Sequence, residues 1–274
     1  MKAKIIAIVN QKGGVGKTTT TFNLGVGLAQ ANKRVLLVDA DPQSSLTISM
    51  GIKHPDELQI SLATVMQRVI EYHDLPRDLG IIHNGEGVDL LPSNIALSGI
   101  ESYWANVANR QLLLRKCLSE VLYQYDYILI DSTPSLGMMT VNALAAADSV
   151  IIPSQPNFLS TMGLDYLMHS ISKTRHGVNP NLRIDGILLT MVDGRTNHAK
   201  DISFSLRDSV KEKIRVFDTE IPHSVRATEC PLKGVSIFTH NKKGKVAAAH
   251  KLLTQEVIQI EQRQKNRSWA NGVR

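Results

Sequence analysis

Two lysines flank a glycine run at Lys12-Gly13-Gly14-Val15-Gly16-Lys17-Thr18, with Thr19 directly behind. Glycine lets the backbone pass close to a polyphosphate, and successive N–H groups of such a turn point inward at an anion. Lys17 is spaced to reach the β- and γ-phosphates of a nucleotide, and the Thr18 hydroxyl to ligate Mg²⁺. The usual loop is written G-x-x-x-x-G-K-[ST]. Here Gln11 holds its first glycine position, and a second lysine, Lys12, enters beside Gly13 and Gly14. With glycine at about 7% of residues, an accidental glycine turn before an ordinary helix is a poor account of all these positions together.

Three aspartates stand where such a loop could use them. Asp39 and Asp41 belong to the run Asp39-Ala40-Asp41-Pro42-Gln43, which follows the apolar segment 35–38. Asp41 is placed to orient a water for attack on the γ-phosphate, and Asp39 to assist the magnesium shell. The same Asp41-Pro42 pair also reads as a helix cap ahead of proline at the first helical position, and both readings can hold. Asp131 closes the apolar run 127–130, the pattern of an acid that holds Mg²⁺, commonly through water. The loop Ser132-Thr133-Pro134-Ser135-Leu136-Gly137 follows it, placed to sense the γ-phosphate.

These side chains need strands that end at one edge of a sheet. Residues 5–9 are short, apolar and β-branched, as a buried parallel strand requires. A helix over 20–31 follows the glycine loop and adds the positive end of its dipole. Further buried strands are expected at 35–38, 127–131, 148–153, 182–190 and 216–221. Helices are expected at 61–70, 107–124, 163–173, 199–214 and from 246 to about Arg263. Two short strands, 80–83 and 88–92, flank the turn 84–87. Alternating strands and helices predict an α/β fold with one doubly wound, mainly parallel sheet covered on both faces. Ligands of such sheets lie beyond the C-terminal strand ends. The expected organisation is a single P-loop ATPase domain over 1–263 and a basic mobile tail over 264–274, carrying Lys265, Arg267 and Arg274.

The chain has 274 residues, 43% of them hydrophobic, enough for a sizeable core, with 31 Lys and Arg against 25 Asp and Glu, a net charge of +6. That balance admits nucleic-acid binding without requiring it. Cys117 and Cys230 lie far apart with no C-x-x-C, which argues against a disulfide framework or a zinc site and for reduced thiols in the cytosol. No signal peptide precedes the glycine loop, and no apolar run approaches the ~20 residues that span a bilayer.

Together, the stretches 12–18, 38–43, 128–137 and 221–226 resemble the ParA family of partition ATPases, within the deviant-loop class that includes MinD. The likeness runs over roughly residues 3 to 262. The resemblance implies that Mg²⁺ and ATP drive a face-to-face homodimer. Lys12, the family's signature lysine, would reach the partner's phosphates, while Lys17 and the amides of Gly13, Gly14, Val15, Gly16, Thr18 and Thr19 hold the chain's own. Asp41 would position the water, and Thr18 and Asp131 would serve Mg²⁺. Met191 and Pro222 match positions near the adenine. The ATP dimer would bind double-stranded DNA without sequence preference, and a ParB-like centromere-binding protein would trigger hydrolysis and release. Arg195 and Arg226 match basic positions used on DNA, and Lys242, Lys243 and Lys245 are a similar reading; on sequence alone, each reads more readily as a solvated surface charge. The family places such a protein in the cytoplasm on the nucleoid. His223, where relatives often carry arginine, and Ser132-Thr133, in place of a more usual Cys-Pro, depart from the pattern.

Two other functions fit the same loop. A membrane-cycling ATPase of the MinD kind needs an amphipathic C-terminal helix, whereas the segment after Ile260 is polar, with Trp269 and Val273 as its only large apolar groups. A metabolic or redox P-loop protein with a bridging iron–sulfur cluster needs paired cysteines at the subunit face, and neither Cys117 nor Cys230 has a near neighbour of its kind.

Overall fold

A computed structural model describes residues 2–72, 74–75, 78–104, 107–156, 159–193, 204, 207–208 and 214–272, the side chains of 101–102, 159–163 and 267–272 excepted. The strands are β1 (Lys4–Ile8), β2 (Val35–Ala40), β3 (Ile82–His83), β4 (Asp89–Leu91), β5 (Tyr127–Ser132), β6 (Ser149–Ser154), β7 (Arg183–Val192) and β8 (Val216–Pro222). They form one eight-stranded sheet in the order β3-β4-β2-β5-β1-β6-β7-β8. Every neighbouring pair is parallel except β3 and β4, which run antiparallel around the turn at 84–87.

The described helices are α1 (Lys17–Gln30), α2 (Ser45–Ser49), α3 (Leu62–Ile70), α4 (Ala96–Tyr103), α5 (Leu113–Ser119), α6 (Met138–Ala146), α7 (Leu159–Gly177), α8 (Val225–Lys233), α9 (Ile237–His240) and α10 (Lys245–Gly272). Successive side chains of a strand point to opposite faces, so each apolar strand feeds two cores. Ile5, Val38, Ile128 and Ile152 pack with Leu62, Leu97, Leu114, Leu144 and Ile171 of α3 to α7. Ile6, Leu37, Leu129 and Ile151 pack with Leu24 and Leu28 of α1, Leu46 of α2 and Leu253 and Val257 of α10. That is the doubly wound, two-faced arrangement expected from the strand–helix alternation. On the second face α1 is wedged against α10, and a Cβ on Gly27 would stand only 2.2 Å from Thr254 Oγ1.

Several elements differ from the sequence reading. The single helix expected at 107–124 is a 3₁₀ turn at Arg110–Leu112, then α5, then turns. Asn109 sits in the left-handed region at φ 57°. The start of α5 is capped from a distance, because the Leu114 N–H donates to Asn142 Oδ1 at 3.0 Å. Pro42 does not open a helix: α2 begins at Ser45, after Ser44 at φ 55°. The C-terminal helix does not stop near Arg263 but continues to Gly272. Gln264, assigned from sequence to a mobile tail, docks on the sheet by donating to Asp185 Oδ1 at 3.0 Å. The helix expected at 199–214 lies almost wholly outside the described residues. Helices α4, α6, α8 and α9 were not legible. Seven of the nine residues of α6 are buried, so it carries no polar stripe to give it a helical period.

Candidate active site

The sheet order puts β5 between β1 and β2, and the register brings Ile8 and Asp39 level with Asp131 on either side. Asp39 and Asp131 therefore stand side by side at the C-terminal edge, where β1 hands over to the glycine loop. Gly14 and Gly16 adopt φ values of 72° and 82°, a region that costs other residues strain. The turn they allow delivers Lys17 as the first residue of α1. No side chain caps that helix, so its first N–H groups stay available to an anion.

Lys17 and Thr18 turn inward from this start. Lys17 is buried, and its Nζ donates to the Lys12 carbonyl at 3.2 Å. The Thr18 hydroxyl donates to Asp131 Oδ2 at 2.6 Å, and that of Thr21 to Asp131 Oδ1 at 3.3 Å. Lys12 is half-buried, its N–H held by Asn10 Oδ1 at 3.0 Å. The loop is also pinned from neighbouring strands. The Thr190 hydroxyl donates to the Val15 carbonyl at 2.9 Å, Gln155 Nε2 to the Gly14 carbonyl at 3.1 Å, and Asn10 Nδ2 to the Pro153 carbonyl at 2.7 Å. Gln155, Thr190 and Thr21 escaped the sequence reading because their role is set by strands and helix turns that meet only in the fold. Asn10 had a signal, as a buried-strand exit directly before the motif.

The carboxylates are buried and crowded. Burial, and then the neighbouring Asp39 carboxylate, push Asp131 up to about 8, against the pull of the Thr18 hydroxyl and Lys17. Burial lifts Asp39 to about 6. Burial also lowers Lys17, opposed by the negative charges of Asp131 and Asp41. Each of these charges is uncomfortable without a counter-charge, as expected of a site built to take ions. Thr18 Oγ1 and Asp131 Oδ2 are the hard oxygen donors that Mg²⁺ prefers, and Mg²⁺ is ordinarily held by one or two carboxylates plus substrate phosphates. The residues present fit that ion.

Asp39 and Asp41 are both bonded to nearby backbone at the end of β2. Both Asp39 oxygens are engaged: Oδ2 accepts from the Thr47 N–H at 2.8 Å and the Thr47 hydroxyl at 2.7 Å, and Oδ1 accepts from the Asp41 N–H at 3.2 Å. Asp39 is thereby bonded to the segment that carries Asp41. Asp41 is 7% exposed. Its Oδ1 accepts the Gln43 N–H at 3.0 Å, so it closes a turn rather than capping a helix at Pro42.

Beside the loop lies a cavity of about 320 Å³, lined by Gly16, Thr19, Thr20, Met191, Pro222 and His250 among others. Met191 and Pro222, expected near the base, both border it. Met191 has φ 53°, an uncommon state for a residue with a long side chain.

The basic positions are on the surface. Lys242, Lys243 and Lys245 are exposed around the start of α10. Arg226, second residue of α8, is exposed and pairs with Glu229 Oε2 at 3.3 Å. That same oxygen meets His240 Nε2 at 2.6 Å. Arg195 lies outside the described residues. Among the described residues, no helix is long and apolar enough to cross a membrane.

A family model described as an AAA domain matches residues 3–184. The chromosome partitioning protein ParA of Myxococcus xanthus is 41% identical over 256 residues, covering 93% of this chain and 88% of its own. The sporulation initiation inhibitor protein Soj of Bacillus subtilis is 40% identical over 254 residues, covering 93% of this chain and 98% of its own. Among solved structures, a cobyrinic acid a,c-diamide synthase from Mycobacterium smegmatis with bound ATP analogue and magnesium aligns at a TM-score of 0.82 with 34% identity, covering 93% of this chain and 94% of that one.

Proposed function

The chain belongs to the ParA/Soj family of partition ATPases, and on that premise we propose that it hydrolyses ATP to segregate a DNA element, as a dimer that grips DNA while ATP is bound. The observation that carries this reading is the 2.6 Å contact between Thr18 Oγ1 and Asp131 Oδ2, made beside Lys17 and the open N–H groups of α1. Those N–H groups, the loop amides and Lys17 hold the phosphates. Thr18 and Asp131 hold Mg²⁺, which neutralises charge on the phosphoryl oxygens when bound.

Asp41 orients the attacking water, and Asp39 keeps Asp41 in place. Lys12 reaches the partner subunit's phosphates, a role that in related chemistry is worth ~10³ to 10⁵ in rate. Hydrolysis is accordingly slow in the lone protein and rises when a ParB-like centromere-binding protein completes the complex. The adenine occupies the cavity between Met191 and Pro222. Arg226, Lys242, Lys243 and Lys245, with Arg195, meet DNA phosphates, which carry affinity but no sequence information. The protein works in the cytoplasm, on the nucleoid and not on a membrane.

The testing experiment is ATP turnover with and without nonspecific duplex DNA, repeated with the centromere-binding protein of the same replicon. Stimulation by both together is the expected result, and DNA-independent turnover at a constant rate counts against the reading. Light scattering adds a second check: ATP should double the particle mass of the wild type and leave Lys12→Ala unchanged. The likeness to the synthase structure supports a second reading, an ATP-dependent metabolic reaction. ATP consumption that depends on a carboxylic acid and a nitrogen donor, and ignores DNA, would favour it.

A further inference from the structure

The cavity that takes the base in the proposed function has one anomalous wall. His250 lies on α10, is 0% exposed, and neither of its ring nitrogens has a hydrogen-bond partner. It is one of the few buried polar side chains among the described residues left in that state. Its neighbours along α10, Val246, Ala247, Ala249 and Leu253, are buried apolar groups of the second core. A position needed only to fill that core would be served better by an apolar ring, because a buried polar group without a partner forfeits its water and gains nothing in exchange. Such a group in a native fold calls for an explanation. Here His250 is one of the residues that line the cavity, alongside Gly16, Thr19, Met191 and Pro222, and its ring nitrogens are closed to water, so a partner reaches them by displacing that wall as it fills the cavity.

We infer that His250 reads the nucleobase: when a nucleotide fills the cavity, the His250 imidazole exchanges a hydrogen bond with the polar edge of the purine. This rests on the assignment of the cavity as the base site. The ring is kept neutral by burial, which lowers its pKa to about 3. A neutral imidazole carries one N–H donor and one lone-pair acceptor, and adenine presents both kinds of partner, with N7 accepting and N6 donating. The rest of the lining is mostly apolar or hydroxylic, so it offers shape and stacking surface. His250 adds the placed polar group by which small-molecule pockets fix a ligand's orientation.

The test compares two probes, ATP and inorganic tripolyphosphate, each with Mg²⁺, titrated by calorimetry into the wild type, His250→Phe and His250→Gln. Tripolyphosphate engages the glycine loop and lacks a base. His250→Phe should weaken ATP about tenfold, the scale of one buried hydrogen bond, and leave tripolyphosphate unchanged. His250→Gln, which keeps a donor and an acceptor, should recover part of the loss. Equal ATP affinity in wild type and His250→Phe overturns the assignment while leaving the ATPase reading intact, and so does a matching loss for tripolyphosphate. Failure of the wild type to bind ATP at all removes both. Should the variants fold poorly, ¹⁵N spectra of the wild-type histidine side chains give the same answer. The His250 ring nitrogens should shift on addition of ADP and stay put with tripolyphosphate, and an ADP complex with unmoved His250 signals overturns the proposal.

Discussion

Thr18 and Asp131 are 113 residues apart in the chain, and their side-chain oxygens are 2.6 Å apart in the fold. One sits in the first turn of the first helix and the other within a central strand, so their meeting depends on β5 lying beside β1 in the register that sets Asp131 level with Ile8. The pair joins the glycine loop to the sheet at the point where the proposed Mg²⁺ would sit.

Removing the hydroxyl tests that junction. Thr18→Ala should retain the fold, because Thr18 is only half-buried and Thr21 still meets Asp131. Its affinity for Mg-ATP should fall by about tenfold or more, the loss of a hydrogen bond to a charged group. Wild-type protein with ATP at a hundred times its Kd gains about 2.7 kcal/mol, a rise in Tm of roughly 5–10 °C for a chain of this size. Thermal melts with Mg²⁺ at the same ATP concentration should show that rise cut by about half or more in Thr18→Ala. An undiminished shift would separate Thr18 from the ion.

Asp41 offers a cleaner separation of binding from chemistry. Its Oδ1 holds the Gln43 N–H at 3.0 Å, a contact the amide oxygen of asparagine can keep. Asp41→Asn should therefore preserve the loop and bind ATP within about threefold of wild type, while turnover falls by roughly 10²-fold or more, the usual worth of a positioned acid or base. Single-turnover hydrolysis beside an ATP titration reads both quantities. Loss of binding with turnover would recast Asp41 as a structural residue.

Much of this site was legible in advance for a physical reason. Gly14, Gly16, Lys17 and Thr18 act through local backbone geometry, and local geometry is written in consecutive residues. Asp39, Asp41 and Asp131 stand out in the sequence because a buried parallel strand is an apolar run and its polar exit is conspicuous. The hold on Asp39 was hidden: it comes from Thr47, eight residues on, a contact that no periodicity announces. Gln155 and Thr190 join the loop only through the order of β6 and β7. Helix α6 has no polar face to give it away, and the end of α10 was misplaced because Gln264 finds its partner, Asp185, 79 residues away.

The exposed basic residues make a quantitative claim on DNA binding. Arg226→Glu together with Lys242→Glu and Lys243→Glu should weaken binding to any duplex sequence equally. If each side chain neutralises one phosphate, the slope of log K against log salt should shrink by about 0.9 per contact removed. Glu229→Gln goes the other way, since it frees Arg226 from a carboxylate 3.3 Å distant, and should tighten binding at low salt. Fluorescence anisotropy with an ATP-loaded, hydrolysis-blocked protein measures both. Unchanged binding in the triple variant would move the DNA surface elsewhere.

The His250 ring carries a pH signature that is independent of nucleotide. Its depressed folded pKa, about 3, comes from burial alone, against ~6.5 in the unfolded chain. Between those values the unfolded chain binds a proton that the folded protein refuses. The stability associated with the neutral ring is therefore complete above about pH 6.5 and drains away as pH falls toward 3, at up to ~1.4 kcal/mol per pH unit. Buried carboxylates also titrate in this range, so the wild-type curve alone cannot isolate the ring. His250→Phe does so, because phenylalanine has no proton to gain. Urea unfolding from pH 7.5 down to 4 should show the gap between His250→Phe and wild type widening in favour of the variant as the medium turns acid. A gap that stays constant across that interval would mean the ring is hydrated or paired in solution.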